Sequence, residues 1–287
     1  SAPRARQTAE AAPPPDGAQF LPLPEHRQRL DFHYDGARYD FRSLVLAMFA
    51  TEVAALGPIA QAATEAAADP AAAQRVEGAL RGLHALSLEG GGAADVFRKG
   101  SPYGSALHRA YKRITGRGAI DPKRGTAPGE EAQASDLQWR FAAMLKDFVR
   151  DVLAPLLGVG PDEVLYQRQP TLRVFPPSQE PIGRPHTDSE YHHQPAEVNF
   201  WIPLCAVGGA NSLYAESSPG AADFAPFQAG YGEGVRFWGN RCHHYTVANS
   251  TDSTRVSLDL RAIARPRFDP DHRTAQGRPS SFRIGEY

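Results

Sequence analysis

Past Gly160 the chain breaks into short runs rich in β-branched and aromatic residues, at 164–175, 197–205, 211–216, 234–246 and 254–263, with turn signals between them. Several antiparallel strands at this spacing predict a barrel or a sandwich. No internal repeat is visible, and the tail after Pro266, rich in Pro, Arg and Ser, reads as a surface wrap.

The preceding half reads as helical. Residues 41–68 are rich in Ala and Leu, and Leu44, Met48 and Val53 can share a buried stripe with Phe41 and Leu56 nearby. Asp69-Pro70 marks a stop and restart, with Pro in the first turn of a second helix over about 71–86. Gly90-Gly91-Gly92 breaks the pattern, and a short helix follows at 105–114. The polar stretch 116–135 reads as an exposed loop. Ser135 then looks like the N-cap of the clearest helix, 136–157, along which Leu137, Phe141, Leu145, Phe148, Val152 and Leu156 recur at three- and four-residue steps. Gly158 ends it.

Composition narrows the partners. A chain of 287 residues can form one large domain or two small ones, and 41% hydrophobic with 22% charged residues is ordinary for a soluble globular protein. A net charge of -1 offers no global field to recruit nucleic acid or an acidic membrane. Cys205 and Cys242 are too few for a disulfide framework, so a reducing, cytoplasmic setting is the default expectation. No apolar run approaches the roughly 20 residues of a membrane span. Residues 1–20 lack the apolar region of a signal peptide and read as a flexible arm. The expected partner is a small-molecule substrate, with neither nucleic acid nor membrane.

Pro185-His186-Thr187-Asp188 places an imidazole and a carboxylate two residues apart, on one face if the segment is a strand. A second histidine far downstream can complete a set of two histidines and one carboxylate, which leaves metal positions open for a cosubstrate and dioxygen. His243 and His244 compete for that role. The pattern H-x10-R-x-S, running from His244 to Arg255 and Ser257, favours His244. Alternation sets Arg255 and Ser257 on one face of the last strand and Val256, Leu258 and Leu260 on the other. An arginine pointing into a barrel is costly unless an anion pairs with it. A dicarboxylate would supply that anion with a geometry suited to guanidinium; an internal acid such as Asp259 is the structural alternative.

H-T-D followed by H-x10-R-x-S resembles the iron(II)/2-oxoglutarate-dependent oxygenases. Asn199-Phe200-Trp201-Ile202-Pro203-Leu204, Gly209-Ala210-Asn211-Ser212-Leu213 and Ser218-Pro219-Gly220 resemble its phytanoyl-CoA-hydroxylase-like branch. The runs 239–246 and 254–261 are most similar to oxygenases associated with streptomycin-type antibiotic biosynthesis. The resemblance covers residues 171–263 and none of the first 130. It implies an α+β fold: a double-stranded β-helix, or jelly-roll, cupin-like barrel, with the helical half packed on its larger sheet. One domain over 21–287 is expected, with a helical part at about 41–158 and a barrel core at about 164–264. Fe(II) is the implied metal, held by His186, Asp188 and His244, with 2-oxoglutarate and O2 as cosubstrates. The reaction implied is oxidative decarboxylation of 2-oxoglutarate to succinate and CO2, ending in hydroxylation of a polar small molecule. The protein's share is to orient and shield that chemistry; no general base is assigned.

Arg255 and Ser257 are the expected cosubstrate contacts. Asn199 belongs to the polar face of its strand with Glu197 and Trp201, and is expected at the cofactor or among internal backbone groups. Arg173 is a second candidate for cosubstrate or substrate. Tyr191, His192, Trp201, Glu216 and Arg261 are substrate candidates, and His193 is expected at the substrate or in a surface loop. Cys242 is expected to be an inert thiol. A non-oxidative cupin-like metal-binding module, an enzyme of oxidative cyclisation, desaturation or halogenation, and a nucleic-acid demethylase are the alternatives. Halogenases of the family lack the carboxylate that Asp188 supplies here.

Overall fold

Strand 255–264 organises the molecule. In the computed structural model, which describes residues 18–65, 69–86, 105–116, 128–274 and 277–280, it is the longest strand and is buried over nearly its whole length. In chain order the strands are β1 (Leu30–His33), β2 (Val164–Tyr166), β3 (Thr171–Phe175), β4 (Val198–Pro203), β5 (Tyr214–Ala215), β6 (Ala225–Pro226), β7 (Glu233–Phe237), β8 (His244–Tyr245) and β9 (Arg255–Ala264). β9 pairs antiparallel with β4 along one edge and with β3 and then β2 along the other, in a sheet ordered β1-β7-β4-β9-β2. A second, three-stranded sheet runs β6-β5-β8.

The period of two sorts these strands onto two cores. Val256, Leu258, Leu260 and Ala262 of β9 join Val198, Phe200 and Ile202 of β4 in one apolar cluster with the helices. On the other face, Trp201, Val235 and Phe237 of the larger sheet meet Ala215 of the smaller one in a second cluster around Phe227. Arg255, Ser257, Asp259 and Arg261 alternate with the apolar residues of β9 and are all buried.

Among the described residues, the helices of the apolar layer are α1 (Phe41–Ala50), α2 (Gly57–Glu65), α3 (Pro70–Arg81), α4 (Ala106–Thr115) and α5 (Pro128–Phe148). Side-chain caps start three of them. Asp40 accepts from the Ser43 N–H, Asp69 from Ala71 with Pro70 in the first turn, and Ser105 from His108. The expected single helix over 41–68 is two, because the chain turns at 51–53 before a 3-10 turn leads into α2.

The longest helix corrects the sequence reading twice. It begins at Pro128, so Ser135 lies inside it and the last part of the expected loop is helical. After Phe148 it passes through a π-helical turn, Val149–Leu153, into Ala154–Leu156. The wider turn shifts the phase of the apolar stripe. Leu137, Phe141, Leu145 and Phe148 are buried as the spacing predicts, but Leu153 and Leu157 are buried where Val152 and Leu156 are only half-buried. Gly158, at a φ of 64°, ends the segment.

β1 has no counterpart in the sequence reading, since Phe32 is its only buried residue. Gly90-Gly91-Gly92 and residues 1–17 lie outside the described residues.

Candidate metal centre

His186 and His244 face each other across a short antiparallel bridge. Each N–H donates to the other's carbonyl, at 3.2 and 3.0 Å, and the ring centroids lie 4.3 Å apart. Asp188 comes from a different local structure than expected. The strand geometry ends at His186, and Asp188 opens a 3-10 turn, Asp188–Tyr191, capped by Thr187 and Glu190. Its own N–H donates to the Gly239 carbonyl at 2.8 Å, which ties the turn to the segment after β7. One ligand atom from each of His186, Asp188 and His244 lies within 4.8 Å of the others.

The protonation pattern suits a metal. His186 Nδ1 lies 2.7 Å from the Arg184 carbonyl and His244 Nδ1 lies 3.0 Å from the Cys242 carbonyl. A carbonyl only accepts, so each Nδ1 carries a proton, which in the neutral tautomer leaves Nε2 as the ring nitrogen for a metal. Burial lowers the His244 pKa against the opposing pull of Asp188, which favours the neutral ring a metal needs. Burial alone would raise the Asp188 carboxyl, but the Arg261 guanidinium beside it leads the opposing pulls, and the group lies well below the usual carboxylate range. His244, not His243, is the histidine in this cluster. His243 is half-exposed at the side chain, 3.4 Å from Glu216.

A small cleft opens beside the cluster, and both histidines line it. Arg255 and Trp201 form part of its wall, with Arg173, Asp259, Leu213 and Thr246. Arg255 donates to the Asn211 carbonyl at 3.2 Å, and its guanidinium lies 5.0 Å from the Phe175 ring centre. Ser257 is fully buried, and its Oγ meets no hydrogen-bond partner among the described residues. On β3, Arg173 stands directly opposite Ser257.

Comparison with known proteins now adds a relative. No family model matches the chain. The streptomycin biosynthesis protein StrG of Streptomyces griseus is 36% identical over 164 residues, covering 56% of this chain and 79% of StrG. The chain belongs to the StrG family. This agrees with the resemblance carried by 239–246 and 254–261. Among solved structures, the non-heme monooxygenase ThoJ is 16% identical over 45% of this chain and 55% of its own, with a TM-score of 0.35. SnoN, described as a non-heme alpha ketoglutarate dependent epimerase from nogalamycin biosynthesis, is 18% identical over 53% of this chain and 72% of its own, with a TM-score of 0.35. EvdO2 from Micromonospora carbonacea var. aurantiaca is 17% identical over 44% of this chain and 65% of its own, with a TM-score of 0.31. At these scores the likeness fixes neither fold nor chemistry.

Several residues of the StrG-family chain stand elsewhere than expected. Arg261 is spent on Asp188: its Nε donates to Oδ2 at 2.9 Å and its Nη2 to Oδ1 at 3.1 Å, while Nη2 also reaches Asp259 at 3.4 Å. Its Nε and Nη2 are thus committed to two carboxylates. Asn199 likewise bonds carboxylates rather than backbone groups, Asp188 at 2.8 Å and Asp259 at 3.3 Å. Glu216 is buried among loop amides, accepting from the N–H of His243 and of Ala222, and is absent from the cleft wall. His193 is buried too, with Nδ1 2.6 Å from Glu197, so it is neither a surface residue nor a cleft residue. Tyr191 is exposed and sets its ring edge-on to His186 at 5.1 Å. His192 adopts a left-handed φ of 70° and lies 3.4 Å from Arg278.

Sequence reading missed Ile182, Gly183 and Leu213 in the cleft wall, since loop residues carry no periodicity. Asp259 was legible, because alternation along β9 sets it on the face of Arg255. Burial pushes the Cys205 thiol up to about 11 and Cys242 to about 12, so both buried cysteines are inert as nucleophiles. Among the described residues no helix is long and apolar enough to cross a membrane.

Proposed function

We propose that this StrG-family chain is a non-haem iron(II)/2-oxoglutarate-dependent oxygenase that hydroxylates a polar small molecule. In this reading residues 21–287 form one oxygenase domain, and its two sheets are the halves of a double-stranded β-helix. The observation that carries it is the convergence of two imidazoles and one carboxylate, with one ligand atom of each within 4.8 Å of the others, beside a cleft that also holds a buried arginine. Two histidines and a carboxylate are the donor set of a facial triad, so the residues fit the group they would hold. When bound, iron(II) with 2-oxoglutarate and O2 supplies substrate oxidation coupled to release of succinate and CO2.

The chain's own residues do the rest. His186, Asp188 and His244 would hold the ion. Arg255 would take the far carboxylate of 2-oxoglutarate, and Ser257, whose hydroxyl lacks a partner among the described residues, would donate to the same group. Trp201, Leu213 and Ile182 wall the cleft with apolar surface, which keeps water from the dicarboxylate and strengthens its pairing with Arg255. Arg173 adds positive charge to the same wall, and Tyr191 and His192 stand on the turn that carries Asp188, ready to meet substrate. The Asp188 side chain belongs to the cluster, which favours hydroxylation over halogenation.

The test is succinate. Protein loaded anaerobically with Fe(II) and then given 2-oxoglutarate and O2 is expected to release succinate, faster with a substrate from a library of polar metabolites. The His244→Ala variant is expected to release none. Equal succinate from wild type and His244→Ala, or none from wild type across the library, overturns the proposal.

A further inference from the structure

Asp188 is gripped by two side chains. Its Oδ2 accepts from Asn199 Nδ2 at 2.8 Å and from Arg261 Nε at 2.9 Å. Its Oδ1 accepts one bond, from Arg261 Nη2 at 3.1 Å, and lies 3.6 Å from His244 Nε2. The two oxygens are therefore unequal: Oδ2 is saturated by two strong donors, while Oδ1 accepts one and faces His244 Nε2. Arg261 is buried, and Asp259 beneath it anchors the guanidinium from the other side. A buried arginine held between two carboxylates is oriented by both, so its fork fixes the plane of the Asp188 carboxylate.

We infer that Arg261, with Asn199, is a positioning residue that makes Asp188 a one-oxygen metal ligand through Oδ1. The inference rests on the metal-centre reading above and adds what sets the carboxylate's geometry. A carboxylate free to rotate can chelate a metal with both oxygens and so fill a position that cosubstrate or O2 needs. With Oδ2 occupied by Asn199 and Arg261, that mode is closed. The guanidinium also neutralises part of the carboxylate's charge, so the carboxylate binds the ion less as a point of negative charge than as a directed donor. Position, more than charge, then decides affinity, and an ammonium in place of the fork should not suffice.

The experiment measures metal binding and coordination, not turnover. Mn(II) affinity is measured by titration, and the visible spectrum of the Co(II)-loaded protein reports coordination, for wild type, Arg261→Lys, Asn199→Ala and His244→Ala. Arg261→Lys keeps the charge and loses the fork. It is expected to bind Mn(II) about 10- to 100-fold more weakly and to change the Co(II) spectrum. Asn199→Ala, which removes one donor from Oδ2 and leaves the ion pair intact, is expected to shift the spectrum in the same direction by less. If Arg261→Lys does not fold, Asn199→Ala alone carries the test. Wild-type affinity and an unchanged Co(II) spectrum in the folded variants would make the clamp merely structural and overturn the inference, while loss of binding in His244→Ala keeps the metal-centre reading intact. Failure of the wild type to bind Mn(II) at all would overturn both.

Discussion

Arg255 and Arg261 lie on the same face of one strand and do different things. Both are buried: Arg261 bonds Asp188 and Asp259, whereas Arg255 lines the cleft. Removal of Arg255 should therefore act on the cosubstrate. Arg255→Ala is expected to need about ten to a hundred times more 2-oxoglutarate for half-saturation, the loss of a charge-assisted pair of roughly 1.5–3 kcal/mol. Mn(II) affinity without cosubstrate is expected to change little. Melting temperature and 2-oxoglutarate affinity are to be measured together on the same preparation. A large fall in melting temperature with cosubstrate affinity intact would return Arg255 to a structural role.

At the scale of elements, the centre depends on how closely segments approach one another. Gly239 follows β7 and accepts the Asp188 N–H through its carbonyl. A Cβ built on Gly239 would stand 2.8 Å from Asn199 Oδ1 and 2.9 Å from its Cγ, closer than side chains pack. Gly239→Ala must push the Asn199 amide aside, and that amide is one of the two donors to Asp188 Oδ2. The expected result is weaker Mn(II) binding, by several-fold to about tenfold, in a protein whose far-ultraviolet circular dichroism is unchanged. Wild-type metal affinity in Gly239→Ala would mean that Asn199 does not hold the carboxylate. The π-helical turn after α5 is a second lesson at this scale. Periodicity legibly marked the buried stripe as far as Phe148. Beyond it the wider turn reassigned burial from Val152 and Leu156 to Leu153 and Leu157, and no residue type announces such a turn.

Across the whole molecule, the helical layer supports the sheet from the side opposite the cleft. Phe148 is the hinge of that packing, with Tyr34, Tyr39 and Phe41 edge-on around it at centroid distances of 5.2, 5.3 and 5.3 Å. Phe148→Ala removes a fully buried ring from the main core and is expected to cost about 3–5 kcal/mol of stability. The check is chemical denaturation beside Mn(II) titration of the folded variant. Because the apolar face of β9 meets the helices and its polar face meets the cleft, stability should fall while metal affinity stays near wild type. A parallel loss of both would mean that the helical layer shapes the centre directly.

The sequence by itself determined the division into helices and short strands, the restart at Asp69-Pro70, and the faces of β4 and β9. These are local matters of spacing and capping, and a period of two is readable without knowing a strand's neighbours. It also marked His186, Asp188, His244 and Arg255 as a set, because their spacing is itself a pattern. Only the tertiary structure decided the partners of the polar face. Arg261 read as a substrate residue because an isolated strand shows where a side chain points and not what it meets, and it meets Asp188 across a separation of 73 residues. Glu216 and His193 likewise meet loop groups that no periodicity foretells. Charge, spacing and alternation are written along the chain, whereas the pairing of buried charges is settled only when distant segments close on one another.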